Sequence, residues 1–424
     1  MLATMDSNAL ARRLGTADAV VIGLGSMIGA GVFAVFAPAA RAAGAGLLIG
    51  LAIAAVVAYC NATSSAQLAA VYPTSGGTYI YGRERLGQWW GFVAGWGFVI
   101  GKTASCAAMA LTFAAYAVPD AWPAWRRPVA VAAVVGLAAV NYRGVTRTAR
   151  VTRVLVAIVL AVLALVVVAG FTGSKAAAPP ADLTPGGWYG ILQSAGLLFF
   201  AFAGYARIAT MGEEVRDPAR TIPRAIVGAL TIAVVVYAAV ATSVLLVLGP
   251  DRLAAGHAPL ADAVHTAGWD WAAPLVRIGA AAAALGALLA LIAGIGRTTL
   301  AMARHEDLPG WLAAVHPRYR VPHRAEVALA VAIGALVLTV DLRGAIGFSS
   351  VGVLVYYLIA NLAAFTQPSD QRRYPRVLQL IGAAACTLLV ATLPLTAVLV
   401  GLGVFAAGLA YRQIRLTALQ RRSS

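Results

Sequence analysis

Two glycine-containing interruptions, each inside an apolar stretch long enough to cross a membrane, constrain this chain more than any other feature. Residues 25–31 (GSMIGAG) interrupt the stretch at 17–40, and residues 199–205 (FFAFAGY) interrupt the stretch at 188–212. A break in a helix frees N–H and C=O groups, and hydrocarbon offers these groups no hydrogen-bond partner. Such breaks are tolerated where they line a cavity, typically where two structural repeats meet around a binding site. The pattern therefore predicts a membrane transporter.

The composition places the chain among integral membrane proteins. Apolar residues make up 61% of it and charged residues 11%, whereas soluble domains average about 25% charged residues. A membrane-spanning helix needs about 20 mostly apolar residues. We therefore predict an all-α integral membrane protein with twelve spanning helices, at residues 17–40, 46–70, 90–118, 128–141, 151–171, 188–212, 224–248, 272–300, 325–340, 346–366, 377–393 and 395–411.

The net charge of +16 is unevenly distributed along the chain. With a cytoplasmic N-terminus, most of the 32 Lys and Arg residues fall on the cytoplasmic side, including the clusters at 143–153, 216–224, 297–324 and 372–376. This asymmetry follows the positive-inside rule, and an even number of spans then places both termini, 1–16 and 412–424, in the cytoplasm. The basic residues do not alternate with aromatic ones as they do in a base-stacking surface. The charge therefore predicts a topology in the lipid bilayer and no nucleic-acid partner.

The sequence contains no pattern typical of an enzyme or of a metal site. Cys60, Cys106 and Cys386 all lie in predicted spans, and the five histidines show no ligand spacing. A phosphate-binding loop and a nucleophile–base pair are also missing from the sequence. We expect no catalytic activity, no cofactor and no metal.

Four motifs resemble, in order and spacing, those of the amino acid–polyamine–organocation (APC) permeases, closest to the bacterial and cationic-type amino acid transporters. They lie at 23–33, 72–81, 199–224 and 301–309, so the resemblance extends over nearly the whole chain. It implies a LeuT-like fold of two inverted repeats, each of five helices, with two additional helices. The repeats would occupy 17–171 and 188–366, and helices eleven and twelve 377–411. It also implies a location in the plasma membrane, which is the inner membrane in bacteria.

The first interruption predicts a site for a carboxylate. Gly29, Ala30 and Gly31 can present free N–H groups at the start of a half-helix, where the helix dipole adds about half a positive charge. Small residues let a ligand approach the backbone. The alternative is a packing role, because Gly25 and Gly29 have the spacing of a small-residue contact between helices.

The second interruption predicts the complementary site. The resemblance implies that carbonyl groups freed at the breaks accept hydrogen bonds from the α-ammonium group of a substrate. The candidate carbonyls are those of Met27, Phe200, Ala201 and Ala203. Phe202 and Tyr205 are candidates for walls or gates of the pocket, and the alternative is that these aromatic rings belong to the core.

Lys102 lies in the middle of the third predicted span, where a charge is costly and usually faces a cavity or a partner. A buried lysine can lose its proton, whereas arginine cannot. The resemblance adds that some proton-coupled relatives carry a lysine in the fifth helix, at the position of Val159 here. We therefore predict that Lys102 is the proton-coupling group. The alternative is a static ammonium satisfied by backbone carbonyls.

Arg207, Glu213 and Glu214 are gating candidates at the cytoplasmic end of the sixth segment. Arg207 can pair with Glu214 only if the helix bends between them. The alternative is that these charges are simply solvated.

The resemblance implies an amino acid as the small-molecule substrate. Cationic-substrate relatives often have acidic residues in the third helix and just after the break in the sixth, whereas this chain has Lys102 and Arg207 there. We therefore expect neutral amino acids to be moved by alternating access together with a proton. The alternatives are an amine or polyamine carrier, an amino acid exchanger, and a membrane sensor or channel on the same fold.

Overall fold

A computed structural model describes residues 14–73, 76–144, 149–173, 186–211 and 214–423. Within these ranges the regular elements are helices, which confirms the predicted all-α class. They are α1 (Thr16–Met27), α2 (Gly31–Ala34), α3 (Phe36–Ala43), α4 (Leu47–Val71), α5 (Thr78–Leu86), α6 (Gln88–Ala117), α7 (Arg126–Tyr142), α8 (Ala149–Thr172), α9 (Gly187–Phe202), α10 (Ala206–Ala209), α11 (Pro218–Ala255), α12 (Pro259–Thr266), α13 (Ala273–Arg304), α14 (His323–Thr339), α15 (Leu342–Phe365), α16 (Arg376–Thr392) and α17 (Leu395–Ser423).

Each of the twelve predicted apolar stretches overlaps at least one of these helices. In the described ranges, ten helical stretches are long and apolar enough to cross a membrane. The two predicted spans outside that set are α14 and α16, which have 17 residues each. The multi-pass membrane architecture is therefore confirmed, and the count of twelve spans stays a prediction.

Helix α11 is longer than the stretch predicted at 224–248. Gly249 has a φ of 68° and is followed directly by Pro250, and the helix resumes to its end at Ala255. Glycine adopts a positive φ without a steric penalty, and proline lacks the N–H group that a continuous helix needs. The predicted boundary therefore coincides with a kink, and the remainder of α11 continues in a new direction.

Two spans are interrupted, as the sequence predicts. The first broken span (residues 16–43) consists of α1, α2 and α3, with residues 28–30 outside any helix. The second broken span (residues 187–209) consists of α9 and α10, joined by a 3₁₀ turn at Ala203–Tyr205. The first interruption lies near the middle of its span and the second toward the end of its span, each at the position of its glycine-containing motif.

The two breaks pack directly against each other. A Cβ atom added to Gly204 would lie 2.3 Å from the carbonyl carbon of Ser26 and 2.5 Å from the backbone nitrogen of Met27. A Cβ atom added to Gly31 would lie 2.9 Å from the Cα atom of Ala201. Only small residues allow two backbones to approach this closely. The glycines therefore bring the freed backbone groups of both spans to one place.

Asp307, in the connection after α13, ties α5 to α17. Its Oδ2 atom accepts hydrogen bonds from the hydroxyl of Tyr79 at 2.7 Å and from Arg83 at 2.9 Å. Its Oδ1 atom lies 3.1 Å from Nη2 of Arg412. Asp307 is buried, and a buried carboxylate needs such partners. Burial and the hydrogen bond to Asp307 raise the pKa of Tyr79 above its ordinary value.

We predict that Gly204→Ala destabilises the protein, because the added methyl group collides with the backbone of the first broken span. Overpacking of this kind costs about 1–3 kcal/mol, and the measurement is the thermal unfolding temperature of the purified protein in detergent. Gly334→Ala is the matched control, since Gly334 lies within α14 and a Cβ atom there meets nothing within 4 Å. A Gly204→Ala protein as stable as the wild type would contradict the packing.

Candidate functional site

A cavity of about 710 Å³ lies between the two broken spans, α5, α6 and α13. The side chains of Arg207 and Glu214 line it and are 40% and 32% exposed, so the cavity reaches solvent at this end, which we call the mouth. Leu14 lines the cavity as well, and its backbone pairs with Glu214, which places the start of α1 at the mouth. The volume lies within the range of about 300–1,000 Å³ that is typical of small-molecule sites.

The structure divides the predicted site residues into two groups. Those that line the cavity are Lys102, Phe200, Ala203, Arg207 and Glu214. Those that are buried behind its wall are Met27, Gly29, Ala30, Gly31, Ala201, Phe202 and Tyr205. Glu213 lies outside the described residues. The first broken span instead contributes Gly25 and Ser26 to the wall, and the second adds Gly204. These three positions lie within the glycine-containing motifs, but they are not among the predicted site residues.

The first break carries free backbone donors and also packs tightly. Within the described part of the chain, the N–H groups of Gly29, Ala30 and Gly31 form no hydrogen bonds. A Cβ atom added to Gly29 would lie 3.0 Å from the Cβ atom of Ala287 in α13. The arrangement thus contains what each sequence hypothesis requires, free donors for an anion and a small-residue packing face.

Tyr237, in α11, links the two breaks and was missed by the sequence reasoning. Its hydroxyl group lies 2.7 Å from the carbonyl oxygen of Met27 and 3.0 Å from that of Ala201. A hydroxyl group has one hydrogen, so the two carbonyls share it, and each keeps a lone pair for a further donor. A tyrosine inside an apolar helix needs a partner for its hydroxyl, which is the signal that would have identified it.

The carbonyl oxygen of Ala203, in the wall of the cavity, accepts hydrogen bonds from two side chains. Nζ of Lys102 and the hydroxyl of Tyr357, in α15, each lie 3.3 Å from this oxygen. Lys102 is buried, and its ammonium therefore bridges α6 to the second break. Tyr357 is the second residue that the sequence reasoning missed.

Phe202 and Tyr205 occupy the core between these two tyrosines. The ring centroid of Phe202 lies 5.0 Å from that of Tyr237, and the ring centroid of Tyr205 lies 5.0 Å from that of Tyr357. Both rings are fully buried. Their positions match the core alternative in this conformation.

At the mouth, Arg207 pairs with Glu214. The Nη2–Oε1 distance is 3.5 Å, and Nη1 of Arg207 lies 3.4 Å from the hydroxyl of Thr210. The pair forms because α10 ends at Ala209 and the chain turns before Glu214. This is the bend that the sequence argument required for the pairing.

Val159, in α8, is buried beside the first break. It borders a void of about 10 Å³ that Gly25, Gly29 and Ala283 also line. The wall is apolar at the position where proton-coupled relatives are expected to carry a lysine. Val159 therefore supplies no ionisable group at this position.

A layer of contacts closes the bundle at the end opposite the mouth. The hydroxyl of Tyr116, near the end of α6, donates to the carbonyl oxygen of Phe33 at 3.3 Å and accepts from the N–H group of Leu260 at 3.4 Å. Tyr116 and Phe33 also stack edge to face, with ring centroids 5.7 Å apart. Since α6 rises about 1.5 Å per residue, this layer lies well beyond Lys102.

We predict that Tyr237→Phe destabilises the protein with little change in volume, because the carbonyls of both breaks lose a donor. An unsatisfied buried group costs about 1–3 kcal/mol, and the measurement is again the unfolding temperature. Tyr59→Phe is the control, since the Tyr59 side chain is exposed. Equal losses in the two variants would contradict a specific role for Tyr237.

Comparison with known proteins agrees with this geometry. The family model of the amino acid permeases matches residues 14–412. An uncharacterized transporter of Mycobacterium tuberculosis is 61% identical over 97% of this chain and 93% of its own length. A cationic amino acid transporter of Arabidopsis thaliana is 30% identical over 85% of this chain and 65% of its own length. A branched-chain amino acid permease of Bacillus subtilis is 27% identical over 90% of this chain and 86% of its own length. With a family match across nearly all of its length, this chain belongs to the amino acid permease family of the APC superfamily.

Proposed function

We propose that this permease is a secondary active transporter that moves amino acids across the plasma membrane by alternating access, driven by protons. One observation carries the proposal: two broken spans meet backbone to backbone beside a cavity that reaches solvent at the mouth and is closed at the other end. A cavity accessible from one side is what one state of an alternating-access carrier requires.

The mouth faces the cytoplasm in this proposal. Leu14 is hydrogen-bonded to Glu214 at the mouth, and the distribution of basic residues favours a cytoplasmic N-terminus. The described conformation is then the inward-open one. The contact of Tyr116 with Phe33 and Leu260 serves as the closed outer gate.

The head group of the substrate binds at the two breaks. Its carboxylate takes the free N–H groups of Gly29, Ala30 and Gly31, and its ammonium takes the carbonyls of Met27, Phe200, Ala201 and Ala203. Several of these groups lie behind the cavity wall in the inward-open state, so they become accessible as the breaks move. Phe202 and Tyr205 then wall the pocket, and Arg207 with Glu213 and Glu214 controls the mouth.

The charge of the cavity disfavours cationic side chains. Relatives are named for cationic amino acids, for branched-chain amino acids and for methylthioribose, so kinship alone leaves the substrate open. Lys102 and Arg207 line the cavity, and their positive charges repel a cationic side chain of a substrate. On this basis the substrates are amino acids without a positive side chain, with neutral ones as the sequence expectation.

We predict that the purified protein in proteoliposomes accumulates at least one neutral amino acid when the outside is acidified, because inward proton flow drives uptake. A protonophore should abolish the accumulation while leaving exchange of preloaded substrate. Uptake that only equilibrates would favour a channel. Competition by the decarboxylated amine as strong as by the amino acid would favour an amine carrier.

Lys102 is the group that couples transport to protons in this proposal. We predict that Lys102→Met abolishes accumulation driven by a pH gradient, because the variant has no exchangeable proton, whereas counterflow exchange survives at a reduced rate. Lys102→Arg should also fail to accumulate substrate, since arginine stays charged. Accumulation by Lys102→Met under an imposed gradient would assign the coupling to another group.

A further inference from the structure

The ammonium group of Lys102 is under-coordinated in the wall of the cavity. It has three N–H donors, and its one hydrogen bond to a described residue, the carbonyl oxygen of Ala203, is long at 3.3 Å. Among the described residues no carboxylate lies within 4 Å of it. Lys102 is only 7% exposed, and a buried charge is unfavourable unless an opposite charge or several hydrogen bonds compensate it.

The other charges of the cavity do not supply that compensation. Four of the described residues that line the cavity are charged: Lys102, Arg207, Glu214 and Arg297. Arg207 and Glu214 pair with each other at the mouth. Lys102 has no acidic partner in the described wall, and Arg297 interacts with Glu326, which lies outside the lining of the cavity. The described wall itself therefore carries an excess of positive charge.

We propose that Lys102 is a specificity residue that pairs with a carboxylate in the side chain of the substrate, so that acidic amino acids bind better than their neutral counterparts. This inference rests on the proposed function and refines its substrate class. The expectation of neutral substrates came from the lack of a counter-ion for a cation, and the same wall provides a counter-ion for an anion.

Lys102 approaches the head-group site from α6, on the side of the Ala203 carbonyl. The free N–H groups at Gly29, Ala30 and Gly31 lie in the first break, whereas Lys102 projects from α6 toward Ala203 in the second. A substrate with two carboxylates can therefore place one at each. Ser105 lies one turn of α6 from Lys102 and also lines the cavity, and its hydroxyl group is 2.7 Å from that of Ser349.

The test uses pairs of amino acids that differ in charge and hardly in shape. Inhibition constants are measured for competition by glutamate against glutamine, and by aspartate against asparagine, with the full-length protein in proteoliposomes. The acidic member of each pair should bind about tenfold more tightly or better, as expected for a charge-assisted pair in a water-poor site. Glutarate, which has the carbon chain of glutamate without its amino group, is the third probe.

Variants then assign the preference to one residue. Lys102→Met should lose the preference for the acidic member, and Lys102→Arg, which keeps the charge, should retain part of it. Arg297→Gln is the control, because it removes a positive charge from another wall of the same cavity. It should leave most of the preference in place if local pairing, rather than the overall field of the cavity, is responsible.

The outcomes separate the two proposals. If glutamine binds to the wild type as tightly as glutamate does, the role of Lys102 is wrong and amino acid transport is unaffected. If Arg297→Gln and Lys102→Met lose the preference for glutamate equally, the same conclusion follows. Glutarate binding as tightly as glutamate would support the anion subsite and contradict recognition of an amino acid head group. If no amino acid competes or exchanges, the proposed function fails and this inference fails with it.

Discussion

The contact between the two broken spans is the constraint on which the rest of the site depends. Gly204 lies against the backbone of Ser26 and Met27, and Gly31 lies against Ala201. Unpaired backbone groups are unfavourable in an apolar environment, and the contact gathers those of both breaks into one place. Tyr237 links the two breaks there, so neither span would have the same environment without the other.

Side chains from three intact helices complete this arrangement. The hydroxyl group of Tyr237, in α11, donates to the carbonyls of Met27 and Ala201. Lys102 in α6 and Tyr357 in α15 each donate a hydrogen bond to the carbonyl of Ala203. A buried carbonyl has two lone pairs and can accept two donors. The carbonyls of Met27 and Ala201 therefore keep acceptor capacity for a ligand, and all three carbonyls remain satisfied without one.

Local features of the sequence predicted the fold and part of the site. The length of the apolar stretches located the helices, and their glycine content located both breaks. Both features depend only on residues that are neighbours in the sequence. The bend that pairs Arg207 with Glu214 was also within reach, since only a few residues separate them. Tyr237 and Tyr357 were not predicted, because their partners lie far away in the sequence and an aromatic residue in an apolar helix usually belongs to the core.

The wall of the cavity shows the same limit. The sequence pointed to Gly29, Ala30 and Gly31, whereas Gly25 and Ser26 face the cavity. Which side of a short interrupted segment is open depends on how α1 and α10 are oriented against α13. That orientation is a property of the conformational state, and a motif of seven residues does not encode which state is populated.

The backbone pairing at the mouth has a mechanical consequence. The N–H group of Leu14 donates to Glu214, and the carbonyl oxygen of Leu14 accepts from Arg216. These two bonds join the start of α1 to the chain that follows α10, whereas Gly204 contacts Ser26 near the other end of α1. The mouth-side halves of both broken spans are therefore joined at two separate positions along their length. In the proposed alternating-access cycle, these two halves would therefore move together as one unit.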